Sequence, residues 1–189
     1  MGRKQIIKLC ALAVIFSSSL VVAQAAKPAE APTAASAVDH YVRSVEREIV
    51  PAADAMPEDK FSFAPTNGEF KGVRTFSQQV KHVAAVNYII GAAILQEKPP
   101  LDIGGENGPD SLKSKAEIVN FLKDSFAYAH KAVQTLNDKN ALQPIKNPFD
   151  ESTVTPLELA AWIPGHCFDH YGQMVVYLRM NGIIPPASR

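Results

Sequence analysis

The sequence predicts an all-α protein with the architecture of a four-helix bundle. Apolar residues recur at spacings of three and four in four stretches of about 20 residues each, which is the pattern of amphipathic helices. No stretch alternates between polar and apolar residues over a length that would favour a sheet. With 189 residues, 47% of them hydrophobic and 20% charged, the chain is long enough for one domain with a sizeable core.

The first two helices are predicted on either side of a loop. The first begins at Val38, and Pro51 is expected to bend or end it because proline removes a helical hydrogen bond. Residues 55–70 contain proline, asparagine and glycine, which indicates a loop. The second helix is predicted from about Thr75 to Gln96.

A long connection separates the second helix from the third. Residues 97–114 hold three prolines and three glycines, and a connection of this length can carry the chain across a bundle. The third helix is predicted from about Ser114 to Asn137. Ser114 and Glu117 have the spacing of a capping box at its start.

The fourth predicted helix carries the most distinctive residues of the chain. Thr155 followed by Pro156 is typical of a helix start, and the pattern continues to about Met180. Pro164 lies inside this helix, so we expect a kink just before His166. The bundle would then span residues 38–189.

Residues 1–25 have the parts of a secretory signal peptide. A basic start precedes the apolar run LCALAVIFSSSLVV at residues 9–22, and the small-x-small pattern that follows predicts cleavage after Ala25. A membrane anchor is the alternative, but the run contains three serines and is shorter than the ~20 residues that span a bilayer. We therefore expect a periplasmic or secreted protein with no stable membrane insertion after cleavage.

The mature chain would be mildly acidic. The signal peptide removes three of the 19 basic residues and none of the 19 acidic ones, which leaves a net charge of about −3. Such a charge gives no support for nucleic-acid binding. Cys10 also leaves with the signal peptide, so Cys167 would have no intrachain partner. The Ala/Pro-rich residues 26–37 are predicted to form a flexible spacer.

The stretch HCFDHYGQ contains two histidines, His166 and His170, that share one helix face about 40° apart. Two imidazoles one turn apart can bind one metal ion, but they are also compatible with an ordinary histidine pair. His82 adds a third imidazole on the apolar side of the second helix. Three buried imidazoles without a metal would carry a large desolvation cost, so the pattern favours a three-histidine site. His40 and His130 are interpreted as surface or edge residues.

Other metal sites of helical proteins do not fit the sequence. No histidine has a glutamate three positions earlier, as the di-iron carboxylate bundles require. The His-Glu-x-x-His pattern of zinc proteases and the Cys-x-x-Cys-His pattern of haem attachment are also absent from the sequence.

The chain from about residue 38 to 189 resembles the DinB-like family of metal-binding four-helix bundles, which is related to YfiT-like metal-dependent hydrolases. The resemblance rests on AADAMPEDKFSFAP, on TFSQQVKHVAAVNYIIGAA and above all on HCFDHYGQMVVYLRMNGIIPPASR. It implies an up-down-down-up bundle and assigns His82, His166 and His170 as the metal ligands. Some relatives are thiol S-transferases or thiol-dependent isomerases of the cytosol, from which this chain differs in its export signal.

These features predict an exported metal-binding protein with a small-molecule substrate. One divalent ion is expected, Zn²⁺ or Ni²⁺ with Mn²⁺ as a further candidate, and three imidazoles with an open position are typical of catalytic sites. Gln173 is a candidate for holding water or substrate, and Asp169 is either an acid that orients an imidazole or a surface residue. Trp162 is interpreted as core.

Two functions stay open at this point. The first is a metal-dependent hydrolase or transferase that acts through an activated water or thiolate. The second is a non-catalytic bundle that binds a small ligand or the metal itself, because no residue is an unambiguous general base. The sequence leaves the oligomeric state open between a monomer and a homodimer.

Overall fold

The computed structural model describes residues 31–189; the predicted signal peptide and residues 26–30 of the predicted spacer lie outside the described residues. Four helices make up most of this part of the chain. They are α1 (Ala34–Ala55), α2 (Phe76–Leu95), α3 (Lys115–Gln134) and α4 (Pro156–Met180). The predicted all-α, four-helix class is confirmed, and the predicted helix boundaries are correct to within a few residues.

All four helices begin with the same chemistry. Each start is a capping box, in which the side chain of a threonine or serine and that of the residue three positions later bond to each other's backbone N–H groups. The capping residues are Thr33, Thr75, Ser114 and Thr155. The capping box predicted at the start of α3 is thus present, and the predicted cap Thr155 of α4 also forms one with Glu158.

The start of α1 corrects one prediction. Residues 34–37, expected to belong to the flexible spacer, are helical. Thr33 accepts a hydrogen bond from the backbone of Ser36, and Ala35 is buried, so local capping and packing extend the helix toward the N-terminus. At its other end, α1 continues through Pro51 to Ala55.

Helices α2 and α3 pack side by side in the same direction. The Asn87 amide donates to the Ser125 hydroxyl at 3.2 Å, and further along both helices Tyr128 donates to Glu97 at 2.9 Å. Two parallel neighbours of about 30 Å need a connection that returns along the bundle. Residues 96–114 are that connection, as the sequence predicts.

The other neighbouring pairs complete the up-down-down-up order. Between α2 and α4, Gln79 contacts Gln173 while Asn87 contacts Cys167, so these helices are antiparallel. Helices α1 and α3 are antiparallel as well, as shown by the pairs Asp39–His130 and Asp54–Lys123. Each helix of the ring α1–α3–α2–α4 therefore contacts two others.

The core lies between the four helices, and α2 is its most buried member. Gly91 permits a close approach of α2 to α3, because a Cβ atom there would lie 2.7 Å from the Tyr128 ring. Most side chains of α2 consequently face protein rather than water. Any polar side chain on this helix, His82 included, must find its partners inside the molecule.

Short elements occupy the connections. A two-residue antiparallel ribbon pairs β1 (Ile145–Lys146) with β2 (Thr153–Val154) just before α4, and it is too short to give an alternating sequence pattern. Single turns of 3₁₀ helix cover Glu58–Lys60, Gly105–Asn107 and Pro186–Ser188. None of the helices within residues 31–189 has the length and hydropathy needed to cross a membrane.

Candidate metal centre

Three histidines from two helices converge at one point of the bundle. Helix α2 supplies His82, and α4 supplies His166 and His170. The ring centroids are 5.1 Å apart for His82 and His166, 4.7 Å for His82 and His170, and 4.6 Å for His166 and His170. One nitrogen of each ring lies within 4.8 Å of the other two. The structure thus brings together the three residues that the sequence predicts as ligands.

The spacing of the ring nitrogens fits a shared ion. Nε2 of His82 and Nε2 of His166 are 3.2 Å apart. Two imidazole nitrogens on one tetrahedral zinc ion, each about 2.05 Å from it, are separated by about 3.3 Å. The positions of these two rings therefore suit a common metal without a rearrangement of the helices.

The other nitrogens of two rings are fixed by oxygen acceptors. Nδ1 of His82 lies 2.5 Å from the main-chain oxygen of Glu106, and Nδ1 of His170 lies 2.5 Å from Oε1 of Gln79. A carbonyl oxygen only accepts, so in both neutral rings Nδ1 carries the hydrogen and Nε2 keeps its lone pair. This is the arrangement that orients histidine ligands in metal sites.

A chain of amide side chains continues from His170 to the surface. The Gln79 amide nitrogen donates to Oε1 of Gln173 at 2.8 Å, and the Gln173 amide nitrogen donates to Asp169 at 3.3 Å. Each group in this relay donates to the next, and the carboxylate at its end only accepts. Asp169 is exposed and, within residues 31–189, forms no hydrogen bond with an imidazole; it connects to His170 only through the two glutamines.

His166 has a nitrogen without a partner. Its Nδ1 is buried and makes no hydrogen bond within residues 31–189. Its Nε2 faces the lone pair of His82, so without a cation His166 must place its hydrogen between the two rings and leave Nδ1 as an unpaired acceptor. A cation in this position would allow both Nε2 atoms to act as ligands, and the hydrogen of His166 would then lie on Nδ1.

The environment keeps the three imidazoles neutral. Burial, the neighbouring histidines and the charge of Arg74 lower the pKa of His166 to about 3. Burial, His82 and Arg74 lower that of His170 to about 4, although the charge of Asp169 opposes the shift. The pKa of His82 is also lowered, chiefly by burial. At neutral pH all three lone pairs are thus available to a metal.

The histidine cluster opens onto a cavity of about 830 Å³, here called the polar cavity. His170, Gln79, Gln173 and Asp169 line it from the bundle. The opposite wall is formed by the segments before and after α2, at residues 72–74 and 104–110. Asp169 and Gln173, the two predicted site residues besides the histidines, therefore both lie where a small molecule could reach the cluster.

The comparison with known families agrees with this geometry. Residues 41–174 match the sequence model of the DinB superfamily, which covers more than half of the chain and all three histidines. The chain belongs to the DinB superfamily. No curated protein matches this chain.

Solved structures share the same fold. A DinB-like protein from Bacillus subtilis has a TM-score of 0.60 at 16% identity, with 77% of this chain and 92% of that chain covered. A DinB-like protein from Bacillus cereus has a TM-score of 0.59 at 17% identity, with 77% and 93% covered. At these identities, the similarity establishes that this chain has the DinB fold. It shows nothing about the reaction of the protein.

A second cavity adjoins the histidines of this DinB bundle. Trp162 is 46% exposed and stacks on the His166 ring, with centroids 4.9 Å apart and planes at 27°. It also contacts Phe149, at 5.3 Å between centroids, and both rings line a mainly apolar cavity of about 490 Å³. We call this the aromatic cavity. The prediction that Trp162 belongs to the core is wrong, because nearly half of its surface is exposed.

Cys167 takes no part in the histidine cluster. Its thiol is fully buried, forms no disulfide within residues 31–189 and contacts Oδ1 of Asn87 at 3.5 Å. Burial raises the pKa of this thiol to about 12. Cys167 does not belong to the group of possible metal ligands within residues 31–189.

The two remaining histidines lie away from the cluster. His40 is exposed on α1, as predicted. His130 is half-buried at the edge of α3: its Nδ1 lies 2.5 Å from Asp39 and its Nε2 lies 3.1 Å from Glu46. The helix wheel of α3 placed His130 at a margin, but it could not show that two acids of α1 cover that margin.

Proposed function

We propose that this protein is an exported, metal-dependent hydrolase or transferase that acts on a small molecule. One observation carries the proposal: three neutral imidazoles converge at the edge of an open polar cavity. A structural metal site would be closed by a fourth protein ligand, whereas three histidines beside a cavity leave room for water or substrate.

The three imidazole donors restrict which metal ions this site would bind. Neutral imidazoles suit Zn²⁺ and Ni²⁺, and Mn²⁺ is a weaker candidate because it prefers oxygen ligands. His82, His166 and His170 would hold the ion. When bound, such an ion supplies Lewis acidity, which polarises a carbonyl group and lowers the pKa of water.

The side chains around the cluster have separable roles in this proposal. Gln79 and the Glu106 carbonyl hold His170 and His82 with their Nε2 lone pairs toward the centre. Asp169 presents a carboxylate to the polar cavity beside His170 and is the candidate proton acceptor for a nucleophile bound there. Gln173 orients that carboxylate and offers a polar group to the substrate.

A non-catalytic binding function is the alternative. Within residues 31–189, no carboxylate forms a hydrogen bond with any of the three histidines, and Asp169 is exposed. Many enzymes hold their catalytic base in a buried position, unlike this exposed carboxylate. The same geometry would then bind a metal or a metal–ligand complex without turnover.

Turnover by the loaded protein distinguishes the two functions. Purified protein would be stripped with a chelator, reloaded with Zn²⁺, Ni²⁺ or Mn²⁺, and assayed against panels of small esters, amides, lactones and thiol acceptors. Hydrolysis or transfer that is lost in His166→Ala and reduced in Asp169→Asn, while His40→Ala stays active, supports an enzyme. Stoichiometric metal binding without turnover on any panel supports the alternative.

A further inference from the structure

The polar and aromatic cavities both lie along the face of α4 that carries His166 and His170. Along α4, Trp162, His166, His170 and Gln173 follow one another at intervals of three or four residues, so they share one face of the helix. Trp162 lines the aromatic cavity, and His170 and Gln173 line the polar cavity. A molecule lying along this face would pass across the three histidines, with its two ends in different environments.

The polar cavity has cations at its inner wall. Arg74 and Lys81 line it, and both are half-buried, whereas the two acids that line it, Asp110 and Asp169, are exposed. Water screens exposed charges more strongly, so the inner wall is effectively positive. The lowered pKa values of all three histidines, to which the charge of Arg74 contributes, agree with this sign.

Neither cation has an acidic partner in the described part of the chain. Arg74 donates to the Asn107 side chain at 3.3 Å, and Lys81 donates to the main-chain oxygen of Pro109 at 3.1 Å. The backbone of Arg74 is fixed as well, since the Tyr177 hydroxyl donates to its carbonyl oxygen at 3.0 Å. Both side chains thus retain donors for an anion, and a guanidinium is suited to bind an oxyanion by two parallel hydrogen bonds.

The aromatic cavity has the opposite character. The Trp162 and Phe149 rings, with Val154 and Leu159, give it a mainly apolar lining. Nearly half of the Trp162 surface is exposed although this ring stacks directly on His166. A flat apolar group of a ligand would remove this surface from water and gain aromatic contacts.

We propose that the ligand of this site is a small organic acid with an aromatic or similarly flat apolar group, its anionic end held by Arg74 and Lys81 and its apolar end packed against Trp162 and Phe149. This assignment rests on the proposed function and specifies its substrate class. The reacting bond would lie between the two ends, beside His166 and His170.

The test uses ω-phenylalkanoates from phenylacetate to 6-phenylhexanoate as probes. Their affinities for the protein would be measured by calorimetry or NMR titration, both with Zn²⁺ loaded and after chelation. Affinity should rise with chain length to an optimum, because one molecule must reach both cavities. The corresponding uncharged amides should bind about tenfold more weakly, since they lack the charge-assisted hydrogen bonds.

Matched variants identify the contacts. Arg74→Gln should weaken the best probe about tenfold, as should Trp162→Ala, through loss of the charged and the apolar contact respectively. Arg47→Gln and Tyr41→Ala, which remove an exposed cation and an exposed aromatic ring of α1, should leave the affinity unchanged. Metal content would be measured for every variant, so that loss of the metal is distinguished from loss of the ligand contact.

Several outcomes would overturn the assignment. If the probes bind only the metal-loaded protein and Arg74→Gln has no effect, the anion binds the metal alone and the cation wall has no role. If Trp162→Ala has no effect on any probe, the aromatic cavity is not part of the site. If phenylalanine binds but phenylpropionate does not, the site recognises a zwitterion through its acids and cations together. A protein that binds the probes with the expected sensitivity but holds no metal would refute the proposed enzyme and leave the ligand class standing.

Discussion

Gln79 of α2 joins His170 to Gln173: its side-chain oxygen accepts from His170 at 2.5 Å, and its nitrogen donates to Gln173 at 2.8 Å. The residue is buried, so it has no water to replace either partner. Asp169 accepts at the outer end of this relay and thereby fixes the direction of both amides. A surface carboxylate thus determines which nitrogen of the buried His170 faces the other two histidines.

Gln79→Leu should lower the affinity for Zn²⁺ about 10- to 100-fold, the usual effect of removing a group that orients a histidine ligand. Leucine is close to glutamine in size, so the packing of α2 should persist. The affinity would be measured by competition with a chelator. Asp169→Asn should have a much smaller effect, because the asparagine oxygen still accepts from Gln173. Equal affinities in Gln79→Leu and the unchanged protein would show that the relay does not orient the ligand.

The three histidines should bind one divalent metal ion together. Replacing any one of them by alanine should lower the affinity for the metal more than about 100-fold, because two remaining imidazoles make a poor site. The three variants are His82→Ala, His166→Ala and His170→Ala. His40→Ala should leave it unchanged. Elemental analysis beside circular dichroism would show both the metal and the helices, which are stabilised mainly by apolar burial. Full occupancy in His82→Ala would reduce the site to a pair of histidines on α4.

The sequence predicts the ligands of this site better than their surroundings. Helical spacing alone places His166 and His170 on one face, and the apolar neighbours of His82 place it inside the bundle. The role of Gln79 could not be predicted, because it depends on contacts to residues 91 and 94 positions away in the chain. The only signal in the sequence is a glutamine on the same side of α2 as His82.

Helix wheels give the direction of a side chain but not what covers it. Trp162 has the direction of His166, which predicts a core position, yet its ring is 46% exposed and packs against Phe149 of the loop between β1 and β2. His130 differs in the opposite direction. It lies at the margin of the apolar face of α3, but Asp39 and Glu46 of α1 cover it. Both differences arise from tertiary packing, which periodicity does not encode.

Cys167→Ser should leave metal occupancy unchanged. The thiol is buried against Asn87, and its raised pKa keeps it protonated, whereas a metal ligand would be a thiolate. In the native protein the thiol should also resist alkylation, and it should react once the chain is unfolded. Mass spectrometry with iodoacetamide measures both states. Loss of metal in the serine variant with its helices intact would make Cys167 a ligand.

Export should remove residues 1–25. The mature protein, isolated from its native host, is expected to begin at Ala26 and to occur in the periplasmic or secreted fraction. Intact-mass spectrometry of each cell fraction measures this directly. A chain that retains Met1 in the soluble cytoplasmic fraction would contradict both the cleavage and the location.

The ion cluster between α1 and α3 should contribute to stability. Asp39 is buried, and its carboxylate contacts both His130 and Arg43. Burial alone would raise the pKa of Asp39, but the hydrogen bond and charge of His130, together with Arg43, lower it below the ordinary value. His130→Ala removes one of these partners and should cost about 2 kcal/mol of the free energy of unfolding at pH 7. His40→Ala, an exposed histidine of α1, is the matched control and should cost little.

The destabilisation caused by His130→Ala should depend on pH in a definite direction. Because the folded-state pKa of Asp39 is lowered, its contribution to stability is present above the unfolded pKa of about 3.9 and is lost as the pH falls through the folded value. In His130→Ala the pKa of Asp39 should move back up, so the variant has less of this contribution to lose. The stability difference between the unchanged protein and His130→Ala should therefore shrink as the pH falls below about 4. Urea unfolding from pH 7 to pH 3 measures it, and a difference that stays constant over this range would show that His130 acts through packing rather than through the charge of Asp39.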